Sequence, residues 1–150
     1  MPTTWSTPLT RPDRPAAPNP RQVHTREIIA AREFDRLDEV FASDVVDHDP
    51  GASQGPGVEG VKQFWREFQS AFPDFQEEID VLTADGDYVT IAYRISGTHQ
   101  GAYLGIPPTG KHFEIRALQV ARYQDGKVKD RWGSSDTLGM LAQLGISIPA

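Results

Sequence analysis

The dipeptide Asp125-Gly126 stands between two runs of alternating residues, and it constrains this chain more than any other feature. Asp-Gly is a strong two-residue hairpin signal, because the turn needs positive φ at both positions and matches the twist of the flanking strands. A two-residue turn also sets a register. It places Tyr123 opposite Val128, Ala121 opposite Asp130, Gln119 opposite Trp132, Ala117 opposite Ser134 and Ile115 opposite Asp136. The alternate positions carry Arg116, Arg122, Lys127, Lys129 and Arg131. That charged face is expected to look to water and the first face inward.

The pattern extends back along the chain. Phe75, Ile79 and Val81 lead to a turn near Asp85-Gly86, and Val89, Ile91, Tyr93 and Ile95 then alternate with polar neighbours. A three-residue loop is expected here, since it keeps both apolar sets on one face. Everything from 75 to 135 therefore reads as strands. Before it, Ala30, Phe34, Leu37 and Phe41 make a helical stripe that predicts one helix over 21–42. Val61, Phe64, Trp65, Phe68 and Phe72 predict a second over 58–71, stopped by Pro73. The segment Asp44–Pro50 reads as a polar turn, followed by a Gly-rich loop. A last helix, 137–144, is expected to bury Leu138, Leu141 and Leu144 and to end at Gly145.

Two helices followed by a long antiparallel meander is an α+β pattern. Long strands coil, and helices laid across a coiled sheet leave a conical cavity. Its expected lining mixes Phe41, Phe64, Trp65, Tyr93, Tyr123 and Trp132 with Gln119, Asp130, Ser134 and Asp136. Aromatic walls with a few polar groups are the usual make-up of a small-molecule site.

Composition excludes several classes. The 150 residues fit one domain, 21–150, after a Pro-rich arm over 1–20 with Pro at 2, 8, 12, 15, 18 and 20. A net charge of −6 argues against a nucleic-acid partner. Without Cys there is no disulfide, thiolate catalysis or thiolate-held metal. No apolar run approaches the roughly 18 residues of a membrane span, and Pro and Arg interrupt every candidate leader, so the chain reads as cytoplasmic. It has neither a phosphate-binding Gly fingerprint nor a Ser nucleophile elbow.

Three residues draw the chemistry. Asp136, at the end of the inward face, has two readings. It is either the N-cap of the following helix or a general acid/base whose carboxyl an apolar wall would tune. His48, between Asp47 and Asp49, is either a loop His satisfied by a carboxylate or a pocket proton donor. A metal is disfavoured there, since neighbouring side chains diverge and no second His lies at ligand spacing. His99 shares the parity of Ile91 and Tyr93.

Several short segments, in this order, carry a resemblance. They are Asp47-His-Asp-Pro50, Gly57-Val-Glu-Gly60, Phe72-Pro-Asp-Phe75, Gly97-Thr-His-Gln-Gly101, Leu104-Gly-Ile-Pro-Pro-Thr-Gly110, Asp125-Gly-Lys127, Trp132, Asp136 and Leu138-Gly-Met-Leu-Ala-Gln-Leu-Gly145. From about residue 24 to 145 the chain resembles the SnoaL-like polyketide cyclases, also called ester cyclases, of the NTF2-like superfamily. The resemblance implies an NTF2-like cone: a curved, mostly antiparallel sheet with helices over its concave face. It implies a homodimer or homotetramer and ring closure by intramolecular aldol condensation without a cofactor. It also implies that Asp136 matches the family's acid/base and Gln119 its pocket Gln. Where the family has a His two residues on, this chain has Ala121.

The resulting expectation is a cofactor-independent cyclase acting on a polyketide-like small molecule. Asp136 and His48 are the catalytic candidates. Gln119, His99, Trp65, Phe41, Tyr93, Tyr123 and Trp132 are the expected substrate contacts, and no metal is expected. Ala121 favours a rival reading, a non-catalytic small-molecule binder. An epoxide hydrolase, dehydratase or isomerase of the same superfamily is a further alternative, and a hydrolase would need an inward Arg between two carboxylates. In the register above, Arg131 faces outward.

Overall fold

The single long helix expected over 21–42 does not form. In the computed structural model, which describes residues 20–147, helix α1 (Pro20–Ala30) ends where Arg32 adopts φ 63°. The Arg32 guanidinium then donates to the Phe75 carbonyl at 2.7 Å and lies 3.7 Å from the centre of the Phe75 ring. A 3₁₀ segment, Phe34–Glu39, buries Phe34 and Leu37. Strand β1 (Phe41–Asp47) follows, in place of the expected helix end and polar turn. Two faces compete for Phe41: the helical stripe ending on it, and the β-branched pair Val45-Val46 just after it. The sheet prevails because Phe41 and Val45 are buried beside β5. Residues 1–19 of the Pro-rich arm lie outside the described residues.

Helix α2 (Gly57–Ala71) forms as expected, and its buried Val58, Val61 and Phe68 face the sheet. The strands are β2 (Gln76–Asp85), β3 (Tyr88–Thr98), β4 (His112–Gln124) and β5 (Lys127–Ser135), and α3 (Thr137–Gln143) closes the domain. The sheet order is β1-β5-β4-β3-β2. β1 runs parallel to β5 and the other neighbours are antiparallel, so the sheet is mixed. With helices over one face, this is the α+β cone architecture. Phe72, Phe75, Phe113, Leu37, Ile91 and Leu144 are among its most buried side chains.

Two bulges change the expected faces. In the β2–β3 hairpin Asp85 pairs with Tyr88, a two-residue connection rather than three. Parity is corrected inside the strand instead: Ile79 pairs with Tyr93 and Val81 with Ala92, leaving Asp80 extra. Val81 is thereby turned to solvent and Leu82 takes the position opposite Ile91. In the β4–β5 hairpin the Asp125-Gly126 turn forms as expected, with φ of 51° and 83°, and Tyr123 pairs with Val128. The next pair is Arg122 with Asp130. Lys129 is the extra residue, and its ammonium is tied to Asp44 of β1. Beyond it every pair is displaced by one: Ala121 faces Arg131, Gln119 faces Gly133 and Ala117 faces Ser135. A shift of one residue exchanges the two faces of a strand.

Helix α3 also differs in its buried side. Met140 and Leu144, four apart, pack inward, while Leu138 is exposed. The Asp136 cap and Gly145, at φ 72°, bound the helix as expected.

Candidate functional site

The concave face and α2 enclose a cavity of about 480 Å³. Phe41, Phe64, Trp65 and Phe113 supply apolar wall. The Tyr103-Leu104 segment forms a lip of the cavity, with Tyr103 edge-on to Phe68 and Phe72. The rings of α2 and of Phe75 beyond it support one another, Phe64 meeting Trp65 at 5.3 Å and Trp65 meeting Phe75 at 5.5 Å. Such contacts hold flat surfaces in fixed orientations.

The polar part of the cavity is built from three strands and a loop. Because the Lys129 bulge turns Arg131 inward, its guanidinium reaches both oxygens of Asp47, at 2.9 and 3.1 Å, and the Gln119 side-chain oxygen at 3.2 Å. Asp47 also accepts from the Gln54 amide at 2.9 Å and from the Asp49 N–H at 3.1 Å. Its side chain is 9% exposed and that of Arg131 22%. A charge pair this enclosed needs such a set of hydrogen bonds to offset its lost hydration. Gly133 makes room for it, since a Cβ there would collide with the Arg131 guanidinium.

The end of β1 continues the alternation. His48 N–H donates to the Arg131 carbonyl at 2.8 Å, extending the ladder. Asp47 and Asp49 consequently point into the cavity and His48 points away. Asp49 accepts from the Gly133 N–H at 2.9 Å through Oδ2. Its Oδ1 has no hydrogen-bond partner among the described residues. Gly60 lets this loop lie against α2: a Cβ there would collide with the Gly55 carbonyl.

Tyr93 of β3 lies between two cations. Burial pushes its phenol up, Glu77 adds to that, and Arg131 and Arg26 pull the other way. The Arg26 guanidinium sits 4.9 Å from the centre of the Tyr93 ring and is ion-paired with Glu77.

Of the residues expected to form the site, Gln119, Trp65, Phe41 and Tyr93 line the cavity, as do Phe64 and Ser134 of the expected lining. The others do not. Asp136 is exposed, and its Oδ1 accepts from the Gly139 N–H at 2.8 Å, so it caps α3. Its inward placement depended on the unbulged register. His48 lies on the convex face, stacked on Trp132 at 4.5 Å with 2° between the planes, and its Nε2 is 3.0 Å from Asp130. Trp132 and Asp130 went outward with the same slip. Tyr123 is buried but donates its hydroxyl to Gln22 of α1 at 2.8 Å. His99 is fully buried beside Phe72, its Nδ1 accepting from the Thr109 N–H at 3.2 Å, and it holds the lip loop to β3. The residues that sequence reasoning missed are Asp47, Asp49, Gln54, Arg131, Arg26 and Glu77. The alternation Val45, Asp47, Asp49 was a visible signal for two of them. Among the described residues, no group of three His, Asp or Glu side chains is gathered as a metal site. No described helix is long and apolar enough to cross a membrane.

Comparison with known proteins agrees with this architecture. The sequence profile of the SnoaL-like polyketide cyclases matches residues 21–144. The aklanonic acid methyl ester cyclase DnrD of Streptomyces peucetius is 29% identical over 100 residues, 67% of this chain and 68% of that protein. Among solved structures, TsrD from Streptomyces laurentii superposes with a TM-score of 0.78 at 25% identity, covering 85% of this chain and 94% of that one. IdmH from Streptomyces antibioticus gives 0.73 at 32% identity, covering 85% and 97%. The chain belongs to the SnoaL-like polyketide cyclase family, which makes it an enzyme of the cyclase class.

Proposed function

We propose that this protein closes a ring in a polyketide-like, carbonyl-rich small molecule by an intramolecular aldol step and needs no cofactor to do so. The observation that carries this reading is the inward Arg131, with Gln119 beside it, at the polar end of an aromatic cavity. A C–H between two carbonyls is acidic enough for a carboxylate to remove its proton. Asp49 is the base, because one of its oxygens is held by Gly133 and the other has no partner among the described residues. Asp47 is unsuited to that step, since donors already occupy both its oxygens. Its role is to position Arg131.

Arg131 then carries the charge that develops on the enolate oxygen, as a donor already oriented before reaction. The aromatic walls fold the substrate so that the enolate carbon meets the second carbonyl, and this positioning supplies much of the rate. A carbon–carbon bond forms, and the new alkoxide receives a proton from protonated Asp49. Tyr93 is the neutral hydrogen-bond donor to that oxygen, its phenol kept protonated by burial. Nothing is gained or lost overall, so the reaction is an isomerisation. The methyl ester of a polyketide acid, of the kind named for DnrD, is the substrate class of choice.

The test is turnover of aklanonic acid methyl ester by the purified protein, with Asp49→Asn and Asp136→Asn compared. Cyclised product lost in the first variant and kept in the second supports the reading. Tight binding with no turnover by the wild type would replace it with a non-catalytic binder, which Ala121, buried opposite Arg131, also favours. The inward Arg131, reaching Asp47 and the Asp49 carbonyl, favours a second reading, epoxide hydrolysis. Incorporation of ¹⁸O from labelled water into product identifies it.

A further inference from the structure

Resting on the reading of Arg131 given above, we propose that Gln54 is a positioning residue for it: the Gln54 amide fixes the Asp47 carboxylate, which in turn aims the guanidinium into the cavity. Gln54 belongs to the Gly-rich loop before α2 and not to the sheet, yet its Nε2 donates to Asp47 Oδ2 at 2.9 Å. Its Oε1 accepts from the Gly51 N–H at 3.2 Å. Gly51 demands an acceptor and the ion-paired Asp47 a donor, so the amide has one orientation. Both of its ends are used inside the protein, which makes it a support and not a substrate contact. Beyond Asp47 the Arg131 donors are divided. Nε goes to Gln119, and Nη1 goes to Asp47 and the Asp49 carbonyl. Nη2 makes none of these contacts and remains for the enolate oxygen.

A glutamine in a turn can also serve the turn alone, so that explanation has to be weighed. The turn is already held without the side chain. Gln54 N–H donates to the Gly51 carbonyl at 3.0 Å, and Ser53 Oγ donates to Glu67 of α2 at 2.7 Å. The loop lies tight on α2, since a Cβ at Gly51 would meet the Phe64 ring at 2.9 Å. None of these ties needs an amide that reaches Asp47. The carboxylate does need it. Arg131 meets Asp47 through one nitrogen, Nη1, which spans both oxygens and leaves the carboxylate plane free to turn. Gln54 on Oδ2 and the Asp49 N–H on Oδ1 remove that freedom. Charge explains why residue 54 is neutral. The loop meets Asp47 and Asp49 at the end of β1, Arg131 of β5 and Glu67 of α2. One more carboxylate among these would have no cation of its own.

The experiment compares Gln54→Ala and Gln54→Glu by two measurements. One is turnover of aklanonic acid methyl ester against pH. The other is the Arg131 Nε–H peak in ¹H–¹⁵N spectra, assigned by its loss in Arg131→Lys. Gln54→Ala should lower kcat about tenfold with KM changed less than about threefold, and the Arg131 peak should broaden or vanish. In Gln54→Glu the introduced carboxyl and Asp47 share one proton, because adjacent carboxylates resist ionising together. While that proton is held, the new acid donates to Asp47 as the amide did. As pH rises the proton leaves and the two groups repel. Turnover should therefore stay within about threefold of the wild type near pH 5 and fall about tenfold by about pH 8, a descending limb the wild type lacks. A residue serving only the turn would lower the melting temperature in Gln54→Ala, keep the Arg131 peak and leave the Gln54→Glu profile parallel to the wild type's, which overturns the inference. Should Gln54→Ala fail to fold, the nearly isosteric Gln54→Glu decides alone. If the wild type turns nothing over, the Arg131 peak still decides. Its loss in Gln54→Ala and its movement with pH in Gln54→Glu uphold the positioning role while the ring closure falls.

Discussion

Strand β5 carries two clusters of similar chemistry on opposite faces. On the concave side Arg131 grips Asp47 and reaches Gln119. On the convex side Arg122 grips Asp130, which also takes a hydrogen bond from His48 stacked on Trp132. Each has an arginine, an aspartate and an aromatic neighbour. The concave one borders the cavity, while His48, Arg122, Asp130 and Trp132 line neither that cavity nor the hollow between α1 and β2. The convex pair is somewhat more exposed, at 30% and 16% against 22% and 9%, so water and salt screen it more and it contributes less. In the cavity the same groups act through a poorer dielectric on anything bound there. A catalytic-looking set of side chains is therefore not yet a site, and enclosure separates the two.

The sharpest way to break this contrast is to remove each arginine. Arg131→Ala is expected to cut kcat/KM on aklanonic acid methyl ester by about 10²–10³, the usual worth of one oriented charge-stabilising donor. Arg122→Ala should cost less than about twofold. Comparable losses would erase the distinction. Next comes the base: Asp49→Asn should lower kcat by about 10², whereas His48→Ala on the other face should leave it unchanged in the same assay. Gly133→Ala sharpens the geometry, since the added methyl must displace the Arg131 guanidinium. We expect about a tenfold loss of kcat, with the melting temperature held within a few degrees.

Asp136→Ala separates stability from activity. It removes the side chain that accepts from Gly139 N–H, and should cost about 1 kcal/mol in denaturant unfolding with turnover intact. The smallest effect concerns pH. The His48 hydrogen bond holds the Asp130 carboxyl below its ordinary value, Arg122 adds to that, and desolvation opposes it. A carboxyl depressed in the folded state contributes stability above its unfolded value, about 3.9, and loses it as pH falls through the folded one. Unfolding midpoints of the wild type should therefore drop below about pH 4, and His48→Ala should flatten that drop.

Some of this was legible without coordinates. The stripe of α2 survives because Val61, Phe64, Trp65 and Phe68 repeat at helical spacing and a proline stops it. The Asp125-Gly126 turn survives because only a residue pair tolerant of positive φ makes that connection. Trp65, Tyr93 and Gln119 line the cavity as read because each lies on a stretch whose period is uninterrupted up to it, whereas Phe41 reaches the cavity from a strand where a helix was read. Asp136, His48, Trp132 and Tyr123 were misplaced by different causes. A bulge at Lys129 carries no local signature beyond a lysine with a partner, Asp44, that is distant in sequence. His48 belongs to a strand read as a turn, and Tyr123 was taken up by Gln22 of α1.

Periodicity and turn chemistry are properties of neighbouring residues, so the chain alone determined its α+β class, its hairpins and the aromatic character of its hollow. Which side chains meet in that hollow depended on register, and register was settled by contacts across the sheet. One extra residue in β5, stabilised by an edge strand more than eighty residues earlier, exchanged the two faces. It brought Arg131 in and sent Trp132 out, because side chains alternate along a strand and a slip of one leaves none where it was.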